Sequence, residues 1–149
     1  MNRVLKFRAW DKIRREMVNV KRIDLFHKKV GLGWNEYDGV TWRDYTEVEL
    51  MQFTGLRDKN GREIFEGDIL KIYREDIYDN SIEIEKIGEV VFRDGAFFLE
   101  PALEEGWFYI LSSELEYWDN EGYEYEVVGN VFEKPELLKG DINGVDKSC

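Results

Sequence analysis

Cysteine is almost absent from this chain of 149 residues: the single one, Cys149, is the last residue, so no internal disulfide can form. Histidine is as scarce. His27 stands alone, and there is no Cys-x-x-Cys or His-x-x-x-His spacing, so a transition-metal site made by this chain would have to rest on carboxylates. A serine triad would need His27 as its base, and Ser81, Ser112, Ser113 and Ser148 sit in no nucleophile-elbow context. No Gly-x-Gly-x-x-Gly or Gly-Lys-Ser/Thr loop is present to cradle a phosphate, and Gly31-x-Gly33 is too short to count. Long apolar runs are missing as well: none approaches the roughly 20 residues that cross a bilayer. Met1–Asp11 mixes Arg3, Lys6 and Arg8 with its apolar residues, which is no signal peptide, so a cytosolic location is expected.

What the chain does have is material for a core and a great deal of charge. A hydrophobic content of 43%, with 15% aromatic, is enough for one folded domain in spite of 36% charged residues. Among 32 acids, neighbours such as Glu66/Asp68, Glu75/Asp76 and Glu104/Glu105 arise by chance. A general acid–base pair must converge in space, which spacing alone does not establish. No enzyme and no cofactor are expected; a carboxylate hydrolase is the alternative in that class.

The net charge of -11 is unevenly spread: Met1–Val30 carries about +7, Gly31–Arg74 about -3 and Glu75–Cys149 about -15. Two readings follow. Either strand faces are solvated and the two ends pair electrostatically within a fold or oligomer, or a local basic surface meets an anionic partner while the rest repels nucleic acid.

Strand patterning dominates. Val4–Trp10 alternates, with Leu5, Phe7 and Ala9 on one side and Lys6 and Arg8 on the other. After a polar turn, Met17–Val20 and Ile23–Phe26 read as further short strands, and Gly31-Leu32-Gly33-Trp34 with Tyr37-Asp38-Gly39 reads as a loop. Thr46–Phe53 is the next strand. Asn60-Gly61 predicts a type I′ hairpin, Gly67 a second positive-φ position, and Asp94-Gly95 another hairpin. Asp58–Glu63 looks superficially like a calcium loop but lacks its early aspartates and terminal glutamate, so the turn is the better reading. Glu75–Ser81 is an acidic loop. Beyond it Ile82, Ile84, Val90 and Phe92 share one parity and Glu83, Glu85 and Glu89 the other, an acid-lined strand with a bend at Gly88. Trp107–Leu111 is a strand, Ser113–Glu116 a capping box for a short helix at most, and Tyr123–Val131 the last strand. Pro135–Leu138 is a helical turn with proline first, and the tail after Lys139 is expected to fray. Two Asx-Gly hairpins in so small a chain favour an antiparallel meander.

Three blocks carry a resemblance. Lys6-Phe7-Arg8-Ala9-Trp10-Asp11, Gln52–Ile69 (QFTGLRDKNGREIFEGDI) and Val127–Leu138 (VVGNVFEKPELL) resemble, in order, the signature of the YopX family. One departure is Lys134, where the family usually has an asparagine that would cap the last helix. The resemblance implies a small protein encoded by bacteriophages or prophages, acting in the bacterial host, with a β-rich fold and an SH3-type barrel. It implies no activity. On this basis residues 1–45 are expected to form a β-rich N-terminal extension, 46–139 the barrel and 140–149 a disordered tail.

Contact surfaces are the candidate sites. Lys6, Arg8, Trp10, Arg14 and Arg15 mix cations with an aromatic ring, as nucleic-acid-binding barrels do, or as the solvent face of edge strands does. Trp34, Tyr37, Trp42 and Tyr45 either pack on the body or form an exposed interface. The expected function is non-catalytic: self-association and contact with a host or phage protein, head to tail between basic and acidic ends. Nucleic-acid binding through the basic face is the first alternative, and mimicry of DNA by the acidic C-terminal half, which includes Glu83, Glu85 and Glu89, the second.

Overall fold

The computed structural model describes residues 4–34, 37, 39–102 and 109–139, with backbone only at Glu85 and Tyr109. It is mainly β, in antiparallel sheets. The chain divides into two compact units, Met1–Gly55 and Leu56–Cys149.

Unit 1 is an antiparallel sheet of β1 (Phe7–Asp11), β2 (Glu16–Asp24), β3 (Lys29–Gly33), β4 (Thr41–Asp44) and β5 (Val48–Arg57), whose last two residues belong to unit 2. The order is β4-β3-β2-β1-β5. Period-two alternation sends Ala9, Val18, Val30, Leu32 and Val48 to one face, where they form a buried cluster joined by Val20, Trp34 and Leu50. The pairs Ala9↔Val18 and Ala9↔Leu50 fix that register. Two segments depart from expectation. Met17–Val20 and Ile23–Asp24 belong to one strand, not two, because a bulge between Val20 and Arg22 lets pairing continue, while Leu25 and Phe26 fall in the turn that follows. Gly31-Leu32-Gly33 is buried strand and not loop: a Cβ on Gly33 would strike the stem of Lys21, so the missing side chain is what lets Lys21 lie across the sheet.

Unit 2 contains β6 (Glu63–Phe65), β7 (Asp68–Glu75), β8 (Ile82–Arg93), β9 (Ala96–Pro101), β10 (Tyr109–Ile110), helix α1 (Leu111–Asn120) and β11 (Glu124–Asn130), then a 3-10 turn at Pro135–Leu138. Its sheet runs β10-β9-β8-β7-β11 and is curled into a half-barrel. A four-strand meander whose fifth strand returns, through a helix, beside the first is the connectivity of an SH3-type barrel. One face packs Ile64, Leu70, Ile72, Val90 and Leu99 against Leu111, Leu115 and Trp118 of α1. The other face packs Ile69, Ile84 and Ile87 against Val128, Val131, Leu137 and Leu138, so the last turn covers the back of the sheet.

The turns hold two surprises. Asp94 and Gly95 have φ of 49° and 80°, the two positive values a type I′ hairpin needs. At Asn60-Gly61 only Gly61 is positive, at 78°, so the expected type I′ geometry is replaced by a turn from Asp58 to Gly61 closed by the Gly61 amide on the Asp58 carbonyl at 2.9 Å. Gly67 (φ 79°) does make the sharp bend into β7. In β8 a bulge opposite Ile72/Tyr73 reverses parity, which puts Ile84 and Ile87 in one cluster and Val90 in the other. Glu83 and Glu89 therefore lie on opposite faces, not along one acidic row.

The helix is longer than a capping box would make it. Leu111, Leu115 and Trp118 recur at helical spacing and are buried, no side chain caps the start at Ile110, and the Trp118 Nε1 donates to Glu114 at 2.8 Å. It stops in a Schellman motif: Tyr123 N bonds Trp118 O, Gly122 N bonds Asp119 O, Gly122 has φ 79°, and the Trp118 and Tyr123 rings meet at 4.8 Å. Of the expected strand 107–111, residues 107 and 108 lie outside the described residues, as does the tail after Lys139.

Candidate functional site

Four polar residues are buried among those described: Asp11, Asp58, Asp68 and Asn130. All four lie in the three blocks quoted above, and all four accept backbone N–H groups at a turn. Asp11 ends β1 and receives the amides of Ile13 (3.4 Å) and Arg14 (3.2 Å), while Arg43 of β4 reaches it with Nε at 3.0 Å and Nη2 at 3.3 Å. Burial pushes the Asp11 carboxyl up, but the Arg43 bonds and the two amides outweigh it and hold the group below the ordinary carboxylate range. Asp68 receives the Phe65 amide at 2.8 Å across the Gly67 bend. Asn130 receives the amides of Phe132 and Glu133 and donates to the Glu133 carboxylate, which turns the chain out of β11.

Asp58 does more. One oxygen takes the amides of Asn60 (2.9 Å) and Arg62 (2.8 Å), and the other takes Val127 N at 3.0 Å. Lys59 N donates to Tyr125 O and Arg62 Nη1 to Val127 O. Those β11 groups alternate with the ones that pair to β7, so the turn caps the outer edge of β11. A calcium-like role is excluded by the same geometry, since the carboxylate is already filled with donors.

Beside this clasp, the Lys59 ammonium donates to the Tyr73 hydroxyl and to Glu124 at 2.9 Å, and Lys71 pairs with Glu126 at 3.3 Å. Both ammonium groups also sit over the Tyr73 ring, at 4.7 and 4.6 Å. The bonds to Tyr73 and Glu124 raise the Lys59 pKa above that of an ordinary lysine, and burial raises that of Tyr73. A firmly protonated amine against a neutral phenol serves as a clamp, not as a proton-transfer pair.

The candidate contact residues are dispersed. Arg8 and Trp10 alternate with Ala9 and Asp11, so they share the face of β1 away from the unit 1 cluster, with Lys6 just before the strand. Arg15 sits in the β1–β2 turn with φ 56°. Arg14, in the same turn, pairs with Glu16 at 3.0 Å and stacks 4.4 Å from the Trp34 ring. Thus one member of the cationic set and one of the aromatic set are brought together, and Trp34 packs on the body. Trp42 (45% exposed) and Tyr45 (36%) lie on and just after the edge strand β4, and Tyr37 is exposed.

Sequence reading missed the most exposed apolar side chains. Leu25 and Phe26 are 79% and 88% exposed at the tip of the β2–β3 hairpin; Ile77 and Tyr78 are 84% and 90% exposed at the tip of β7–β8. An aliphatic–aromatic pair inside a turn was the available signal. Among the described residues no group of His, Cys, Asp or Glu is arranged to hold a metal, and no helix is long and apolar enough to cross a membrane.

Fold and clasps together define a mainly-β protein with an SH3-type half-barrel. Residues 6–139 match the model of the YopX protein, and the chain belongs to the YopX family. A crystal structure of protein EF1440 from Enterococcus faecalis is similar at 31% identity and a TM-score of 0.60, covering 92% of this chain and 99% of that one. No curated protein matches the chain.

Proposed function

We propose that this YopX-family protein is phage- or prophage-encoded, resides in the cytoplasm of a bacterial host and acts without catalysis, by self-association and contact with another protein. The observation that carries the reading is the placement of polar and apolar groups. Among the described residues the buried Asp11, Asp58, Asp68 and Asn130 side chains are occupied by turn amides, whereas large apolar side chains are held out to solvent at hairpin tips. Charge supports it: unit 1 has eleven basic and eight acidic residues, unit 2 ten and twenty-four, so copies of the chain present surfaces of opposite sign. Binding of nucleic acid through the basic N-terminal residues is less well supported, because Lys12 and Arg14 are engaged by Glu49 and Glu16. Light scattering across a concentration series at low and high salt tests the proposal. Assembly that weakens with salt is expected, and a strict monomer at every concentration contradicts it.

A further inference from the structure

The two exposed tips are built on one plan. In β2–β3 the run is Asp24-Leu25-Phe26-His27-Lys28; in β7–β8 it is Asp76-Ile77-Tyr78-Asp79-Asn80. The leading aspartate accepts the amide three residues on, Asp24 from His27 at 2.9 Å and Asp76 from Asp79 at 3.3 Å. The fifth residue is left-handed in both, Lys28 with φ 56° and Asn80 with φ 57°. Each turn thereby fixes an aliphatic–aromatic pair outward without help from the core, and ordering of that kind is a cost already met before any partner arrives.

Their surroundings are opposite in charge. Arg22, Lys28 and Lys29 lie by the first tip against Asp24 and Asp44, the latter paired with Lys29 at 3.6 Å. Glu75, Asp76, Asp79 and Glu83 surround the second, where Arg74 is tied to Glu83 at 2.9 Å. Beside the second tip lies a cavity of about 270 Å³ lined by Arg74, Glu75, Asp76, Ile77, Ser81 and Glu83. Two preorganised apolar pairs of opposite surroundings on one chain match each other better than either matches itself.

We propose that the Leu25-Phe26 tip of one copy docks on the acidic Ile77-Tyr78 tip of a second copy, a heterologous head-to-tail contact that rests on the self-association reading. The test uses two full-length variants, Leu25→Ser with Phe26→Ser and Ile77→Ser with Tyr78→Ser. Both spare the aspartate clasps, and unchanged melting confirms that each folds. Each variant alone is expected to be monomeric by sedimentation velocity where the parent assembles. An equimolar mixture is expected to give a one-to-one dimer and nothing larger, because only one productive contact survives. Either variant assembling like the parent, or a mixture that stays monomeric, overturns this contact while leaving self-association standing. A parent that never assembles overturns both.

Discussion

Asp11 in unit 1 and Asp58 in unit 2 hold turns in the same manner and are compensated differently. Both are buried and both accept amides from the residues that follow. Asp11 has a partner of opposite charge, Arg43, 32 positions away; Asp58 takes all three of its described side-chain bonds from backbone amides, one of them from Val127, 69 positions away. An ion pair adds a second charge that must itself be kept satisfied, so its failure leaves an uncompensated ion behind. Amides are dipoles fixed by the strand they belong to, so their carboxylate ties one turn to one sheet edge. An acidic signature can thus encode turns and the protection of a sheet edge.

The largest effect is expected from Arg43→Met, which strands the Asp11 carboxylate and should cost about 3–4 kcal/mol in urea unfolding. Asp11→Asn with Arg43→Met removes both charges and should recover a good part of that loss. Asp58→Ala should follow at about 2–3 kcal/mol, because the edge amide of Val127 loses its acceptor. Equal costs for Arg43→Met and the double variant would remove the distinction between the two clasps.

Acidity sharpens the contrast. The folded Asp11 pKa is lowered, so its contribution is complete above the unfolded value of about 3.9 and is lost as pH falls through the folded one. Glu89 is the opposite case: burial, then the charge of Glu100 directly across from it on β9, pushes its pKa up. Its protonated form is favoured in the fold, so that contribution is complete below about 4.3 and is lost as pH rises through the folded value. Glu89→Gln should therefore stabilise the protein at neutral pH, by about 0.5 kcal/mol, with no gain at pH 3. A gain of the same size at both values would refute the assignment. Between the Asp58 and Glu89 effects in size, Gly95→Ala should destabilise by about 1–2 kcal/mol, because a Cβ is strained at the left-handed position.

Much of this was legible from residue order. The YopX blocks, the mainly-β class, the Asp94-Gly95 hairpin and the proline-led turn at Pro135 all rest on local chemistry. The misreadings share a cause, which is that a distant group decides the outcome. Asn60 is held at negative φ because the Asp58 carboxylate gathers the amides of Asn60 and Arg62, a choice made with Val127. Gly31 and Gly33 punctuate a sequence but serve a sheet, since the stem of Lys21 and the Val40 side chain occupy the space a Cβ would take. Bulges at Lys21 and opposite Ile72 break the strict alternation on which the β2 and acid-face readings depended. In α1, by contrast, Leu111, Leu115, Trp118 and Gly122 carry a helical period and stop that are local and legible in the sequence. Contact residues were the least legible: Arg14 meets Trp34 and Arg43 meets Asp11 only once β1, β2 and β4 are in register.

Amide hydrogen exchange at Val127, in the parent and in Asp58→Ala, tests the central claim most directly. If the signature turn caps the edge of β11, Val127 N–H is protected near the level of the sheet core in the parent and becomes freely exchanging in the variant, while the amides of Glu124 and Glu126 stay protected. Rapid exchange of Val127 in the parent, or protection that survives loss of the Asp58 carboxylate, would contradict it.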